Sequence, residues 1–337
     1  MPANVETMFS GRGITPWHKL GVIVEGTPTS AEAIKLAGLD WTVEKHPIFA
    51  RIPDEAKTKA ANDGKPHGSF KRVDSLYATV RMDTNMPLGV VGAKYHPIQN
   101  ASQFELLDSL VSEGSAQYET AGSLGGGETV WMLLVATEGV RSIAGDAIRP
   151  YYLATSSHDG TGRLRVRNVA TRVVCANTLA AAMGENVARE FAVSHTANAK
   201  DRMRQAASLL GLMQKSNQEF VRTAEDLLAV TFTKAEFEGL VATLIPKPDD
   251  SQPEVSTRMV RSWETKFEDV VKSAYFATDL NDIRYTKWGA LNAIADFEQH
   301  HLRVKGTEQD RMETLFRRSF ASGTSSLTGK AFAILTA

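Results

Sequence analysis

Arg163-Leu164-Arg165-Val166-Arg167-Asn168-Val169 alternates charged or polar side chains with aliphatic ones. A period of two is the mark of a β-strand, because successive side chains point to opposite faces. The pattern places three guanidiniums on one face and the aliphatics on the core face. Working back toward the N-terminus, strand-like runs recur at Tyr151–Thr155, Val130–Ala136, Leu88–Tyr95, Leu76–Met82 and Trp41–Phe49, the last interrupted near Pro47. His158-Asp159-Gly160 supplies a turn before the arginine strand, and Gly122–Gly127 reads as a hairpin turn. Residues 53–71 are polar and contain glycine, as a hairpin tip does.

Working forward, strand patterning stops after about residue 185, and Arg172–Met183 reads as a helix stopped by Gly184. Amphipathic stretches follow at about 197–229, 233–245, 255–276, 286–302 and 307–320, broken in two by the proline-bearing segment 246–253. Thr29/Glu32, Ser102/Glu105 and Thr233/Glu236 each have the spacing of a capping box, and Gly38 and Gly114 stand where two of those helices should end. The expected fold is α+β: a mixed, mainly antiparallel sheet with packed helices, followed by a helical C-terminal region. The corresponding division is an irregular arm at 1–28, an α+β module at 29–185 and a helical region at 186–337.

A composition of 42% hydrophobic and 23% charged residues over 337 positions excludes wholesale disorder. The chain shows neither an apolar run of membrane-spanning length nor a secretory leader pattern. Its one cysteine, Cys175, cannot form an internal disulfide and fits a reducing compartment as a packed thiol, so a cytoplasmic protein without membrane contact is expected. A net charge of −1 leaves no global attraction to nucleic acid, so any such binding needs a local patch.

Arg163, Arg165 and Arg167 are the first candidates for that patch, since the planar guanidinium donates two hydrogen bonds to one phosphate. The competing reading is the solvated outer face of a half-buried sheet, which explains the alternation equally well. Arg172 follows closely, and Lys71-Arg72 with Lys57, Lys59 and Lys65 forms a basic flap on the polar 53–72 segment. Phe70 and Tyr77 are among the aromatics that could stack on unpaired bases, although aromatics at strand spacing usually pack in cores.

Enzyme-like fragments fail on spacing. Gly323–Lys330 has five residues between its glycines rather than four, Ala331 replaces the magnesium-holding hydroxyl, and the chain ends too soon for the following helix. His158-Asp159 has the makings of a metal phosphohydrolase pair but lacks a supporting histidine cluster, and Asp159-Gly160 reads as turn chemistry. His300-His301 reads as a helix end whose terminal carbonyls need partners. No catalytic, metal-binding or cofactor-binding residue is singled out, and no cofactor is expected.

Five stretches read together resemble a known family. They are Gly89–Asn100, Ala121–Gly127, Ser156–Gly160, Arg172–Leu179 and Thr286–Ala293. The combination is similar to the phage/plasmid-like proteins built on domain of unknown function 932, over roughly residues 8–302. The resemblance implies a habitat in phages and mobile elements and brings no catalytic residue with it. The order helix, meander, helix, further strands is more loosely similar to single-strand annealing proteins. Within these stretches Gln99 and Asn100 either cap a helix or offer amides to a ligand, and Asn177 either satisfies a buried backbone group or contacts a ligand.

The leading expectation is a homo-oligomeric protein that binds and anneals single-stranded DNA through Arg163, Arg165, Arg167, Arg172, Lys71, Arg72 and Asn177, without nucleotide or metal. The alternatives are a nucleic-acid-processing enzyme whose site is scattered along the sequence, and an adaptor that docks a phage or host partner.

Overall fold

The computed structural model describes residues 5–11, 22–24, 26–54, 68–137, 141–143, 146–172, 190–249, 251–252, 254–277, 280–301 and 326–337. Its strands are β1 (Val5–Gly11), β2 (Val22–Val24), β3 (Val43–Pro53), β4 (Gly68–Arg81), β5 (Met86–Gly92), β6 (Ala116–Leu124), β7 (Thr129–Ala136), β8 (Arg141–Ile143), β9 (Asp146–Ser157), β10 (Leu164–Arg172) and β11 (Glu190–Val193). Its helices are α1 (Ser30–Leu36), α2 (Asn100–Ser112), α3 (Ala199–Ala229), α4 (Lys234–Leu244), α5 (Thr257–Phe276), α6 (Lys287–Asp296) and α7 (Leu327–Thr336), with a π-helical turn at Phe297–His301. The fold is α+β, with helices dominating the C-terminal half.

An eight-stranded sheet runs β11-β10-β9-β7-β6-β1-β2, with β8 attached to β9. Every pairing in it is antiparallel except β1 with β2. The smaller sheet is the antiparallel meander β3-β4-β5. The stretch read as an irregular N-terminal arm is therefore corrected in part. Val5–Gly11 is a strand inside the large sheet, with Phe9 opposite Ala121 and Ser10 opposite Thr120, and Met8 and Phe9 are buried.

Local chemistry explains most of the boundaries. Thr29 and Glu32 close a capping box on α1, Thr233 and Glu236 close one on α4, and Gly38 and Gly114 adopt the left-handed backbone after α1 and α2. The third expected box does not form. Helix α2 begins at Asn100, ahead of Ser102, and Gln99 spends its amide on Val43, accepting from its N–H and donating to its C=O at 2.9 Å each. Strand β3 runs through Pro47 with a register shift there, as a residue lacking an N–H requires.

Two hydrophobic cores result. In the first, Phe9, Leu107, Tyr118, Met132, Leu134, Tyr152 and Val166 meet α1, α2 and the start of α3. It draws on residues beyond 185, since Phe191, Val193, Ala199 and Met203 belong to it. The second gathers Phe220, Phe237, Leu240, Val270, Trp288 and Leu291 from the helical half. Helix α3 has 31 residues, about 46 Å at 1.5 Å per residue, and contributes to both cores. Among the described residues no helix is long and apolar enough to cross a membrane.

Candidate nucleic-acid interface

The arginine row is divided by the structure. Arg163 is exposed but precedes β10, whereas Arg165 and Arg167 lie within it and both face Glu190 of β11. Arg165 donates from a terminal guanidinium nitrogen to one Glu190 oxygen, and Arg167 Nε sits 3.6 Å from the other. The acid absent from the alternating stretch is thus supplied by the neighbouring strand. Arg167 stands opposite Leu153, which stands opposite Leu133, and both leucines are in a buried cluster with Val135 and Tyr151. The face carrying these arginines is consequently not a freely solvated one. The Arg167 side chain is only 11% exposed, and burial pulls its basicity down against the opposing pull of Glu190. Arg172 ends β10 opposite Ile148. Asn177, Cys175 and the expected 172–183 helix beyond Arg172 lie outside the described residues, as do Lys57, Lys59 and Lys65 of the flap.

Lys71 and Arg72 belong to the smaller sheet, on a ladder that the polar character of 53–71 concealed. Strand β4 starts at Gly68, and Pro53 pairs with Gly68, Arg51 with Phe70, Ala50 with Lys71 and Phe49 with Arg72. Directly opposed residues share a face, and residues two apart on one strand share it as well. Phe49, Arg51, Phe70 and Arg72 therefore occupy one face as a two-by-two block of alternating aromatic and guanidinium groups, while Lys71 projects from the other. All four are exposed, Phe49 at 52% and Phe70 at 69%. Arg51 has no ion pair among the described residues, and Arg72 has only a 3.8 Å approach to the solvated Asp74. Arg72 also reaches the Tyr77 hydroxyl at 3.5 Å, and Lys45 Nζ lies 4.7 Å from the Tyr77 ring centre, which extends the patch along the hairpin.

Two of the family-like stretches, Gly89–Asn100 and Ser156–Gly160, converge elsewhere, in a buried junction between the two sheets and α2. Asn100 donates to the Leu39 carbonyl at 3.0 Å, which leaves its Oδ1 to accept from His158 Nε2 at 2.8 Å. His195 Nδ1 accepts the Ile98 N–H at 3.0 Å, so the proton of its neutral ring lies on Nε2, 3.3 Å from Ser156 Oγ. Tyr95 stacks on His195 with ring centres 4.8 Å apart, and its hydroxyl donates to the Ser157 carbonyl. Burial pushes His158 down to about 3, helped by the neighbouring His195, and pushes His195 down to about 4 against the pull of Asp159. Both rings are neutral at pH 7. His158 Nδ1 has no hydrogen-bond partner among the described residues.

Glycine serves close packing here. A Cβ on Gly89 would stand 2.4 Å from the Asp159 carbonyl oxygen, so β5 can press on the 158–160 turn only without a side chain. The reading of Asp159-Gly160 as turn chemistry holds: the Asp159 carboxylate accepts from the Thr161 N–H, and Gly160 has a left-handed backbone. His158 itself is fully buried. Sequence spacing offered no signal for this junction, because its members are brought together from four separate segments. Among the described residues no group of three or more His, Cys, Asp or Glu is placed to hold a metal.

The P-loop lookalike is accounted for by its neighbours. Residues 323–325 lie outside the described residues, and α7 begins at Leu327, within the stretch rather than after it. The amides at its start are already occupied: Glu298 accepts from Leu327 N, Thr328 N and the Thr328 hydroxyl at 2.7–3.0 Å. That carboxylate sits where a phosphate would otherwise sit. His301 faces Asp296 at 3.2 Å rather than a helix carbonyl.

No curated protein and no solved structure matches the chain. A family match does exist, and it covers residues 87–319, from β5 of the buried junction through the helical half. It includes the Gly89–Asn100, Ser156–Gly160 and Thr286–Ala293 stretches. On that match, the chain belongs to the family described as a domain of unknown function (DUF932).

Proposed function

We propose that this protein binds single-stranded DNA on the β3–β4 hairpin, as an annealing-type protein of a phage or other mobile element acting in the host cytoplasm. The observation that carries the reading is the exposed block Phe49, Arg51, Phe70 and Arg72. Exposed phenylalanines on a strand ladder are costly to solubility and invite unwanted pairing, so their retention calls for a ligand. Alternating aromatic and guanidinium groups match an unpaired strand, whose bases stack on rings while its phosphates take bidentate hydrogen bonds. A duplex keeps its bases stacked inside and offers the rings nothing. Exposed Arg163 and Lys71 add charge without being central to the reading.

The test is titration of a fluorescent oligothymidylate into wild type, Phe49→Ala/Phe70→Ala and Arg51→Ala/Arg72→Ala proteins across a salt series. The aromatic pair should cost roughly 1–3 kcal/mol per stacked base, a loss of tenfold or more, with little change in salt dependence. The arginine pair should weaken binding and flatten the log–log salt slope by roughly 1.4. All four side chains are exposed, so circular dichroism should be unchanged. Equal affinity of wild type and the aromatic variant would remove the hairpin from consideration.

Annealing further requires several copies, since one hairpin neutralises too few phosphates for tight binding at physiological salt. A net charge of −1 lets copies approach one another without strong mutual repulsion. Light scattering is expected to show an assembly larger than a dimer once oligonucleotide is added. A monomer in both conditions at micromolar concentration would leave strand binding without annealing.

A further inference from the structure

The helical half contains a cavity of about 480 Å³ lined by Arg258, Arg261, Ser262, Thr265, Lys266, Asp269, Phe297 and His301. The first six lie three or four residues apart on one stripe of α5, and the last two come from the π-helical turn that continues α6. We propose that this groove is a phosphate-binding site, separate from the β3–β4 hairpin, that takes a phosphate-bearing ligand of about nucleotide size.

Uncompensated charge is the first argument. Arg258, Arg261 and Lys266 form no ion pair and no side-chain hydrogen bond among the described residues, and one carboxylate, Asp269, shares the lining with them. Arg258 and Arg261, three residues apart on the helix, repel each other at a cost that a bound anion would offset, while Lys266 stands three residues from Asp269. Arg165 and Arg167, by contrast, share Glu190. The Ser262 hydroxyl adds a neutral donor suited to phosphate oxygens, whereas the Thr265 hydroxyl already donates to the Arg261 carbonyl at 3.0 Å.

The second argument is geometric. A π-helical turn is rare and costs hydrogen-bond quality, and such turns are often found at functional sites. This one places Phe297 and His301 on the wall of the cavity. His301 is held by Asp296, which also accepts the Ser273 hydroxyl at 2.6 Å, so the ring is braced from α5 as well as α6. The volume is within the range of small-ligand pockets and too large for inorganic phosphate alone. Two sources share this chemistry: a free nucleotide, and a nucleotide unit within a bound strand.

Calorimetry with dATP and fluorescence titration with an oligothymidylate distinguish them, using the full chain in wild-type, Arg258→Ala/Arg261→Ala/Lys266→Ala and Phe49→Ala/Phe70→Ala forms. Saturable, salt-sensitive dATP binding that falls at least about tenfold in the triple variant, and is untouched in the hairpin variant, identifies a free-nucleotide site. Absence of dATP binding, with oligothymidylate affinity lowered by the triple variant, identifies a strand-phosphate site. The site does not depend on the hairpin reading: failure of the hairpin would leave the nucleotide arm intact, and failure of the groove would leave the aromatic variant's effect intact. A triple variant that matches wild type toward both probes, at unchanged circular dichroism, overturns the proposal.

Discussion

Lowering the pH from 7 to 5 should destabilise the folded chain by on the order of 4 kcal/mol through two buried histidines alone. His158 and His195 have folded values near 3 and near 4, against 6.5 when the rings are free in water. Burial is the main cause in both, since a charged imidazole would lose its hydration in the junction between the sheets. Because the folded values are depressed, the unfolded chain holds more protons than the folded one between about pH 4 and 6.5. The contribution is complete above pH 6.5 and declines as the pH falls toward the folded values, at roughly 1.4 kcal/mol per pH unit for each ring. Geometry adds a further cost, because a proton on His195 Nδ1 would confront the Ile98 N–H that now donates to it. Urea unfolding at pH 7, 6 and 5 gives the slope directly. The control is His158→Gln/His195→Gln, whose amides can supply the same donors without titrating. Identical pH slopes for wild type and the double variant would show that neither ring governs acid stability.

Replacing Arg81 with Met should cost about 3 kcal/mol, the lower end of what removing one partner of a buried ion pair costs. The Arg81 side chain is 7% exposed and lies across the seam between the two sheets. One terminal nitrogen, Nη1, donates to Glu6 of β1 at 2.6 Å and to the Gly126 carbonyl of the β6–β7 turn at 3.1 Å. The remaining donors form a fork onto both oxygens of Asp83 at 2.7 and 2.9 Å. Its plane lies 4.6 Å from the Trp41 ring centre, adding a cation–π contact. Desolvation works against the charge, but the hydrogen bonds to Asp83 and Glu6 outweigh it and leave the guanidinium more basic than usual, while Arg81 holds Asp83 below the ordinary carboxylate range. Glu6 and Asp83 are partly solvated and can rehydrate, which is why the lower end of the range applies. Arg81→Lys should recover the charge without the fork and lose less. Denaturant midpoints at constant slope measure both, and an Arg81→Met protein within 1 kcal/mol of wild type would refute the assignment.

The Gly89–Asn100 and Ser156–Gly160 stretches thus have a structural account that differs from the ligand roles open to Gln99 and Asn100 in the sequence. Gln99 completes the hydrogen bonding of Val43, Asn100 bridges Leu39 and His158, and Gly89 admits the turn at Asp159. They lock the meander to the large sheet. The exposed chemistry lies outside them, on the hairpin and on the face of α5.

What the sequence determined by itself is whatever depends on neighbours within a few residues. Thr29 with Glu32, Thr233 with Glu236, and the glycines at 38 and 114 mark helix ends because capping is local hydrogen bonding and local backbone freedom. The alternation at Leu164–Asn168 marks a strand for the same reason, and the change from period two to helical spacing marks the helical half. Tertiary structure decided what depends on pairing across the chain. Val5–Gly11 became a strand of the large sheet because β6, more than a hundred residues later, supplied its hydrogen bonds. Glu190 neutralised arginines that no acid adjoins in sequence, and β3–β4 register set Phe49 beside Arg72 and Arg51 beside Phe70. Which face a side chain shares, and with what charge, follows from strand register and burial, and those are fixed only when distant segments meet.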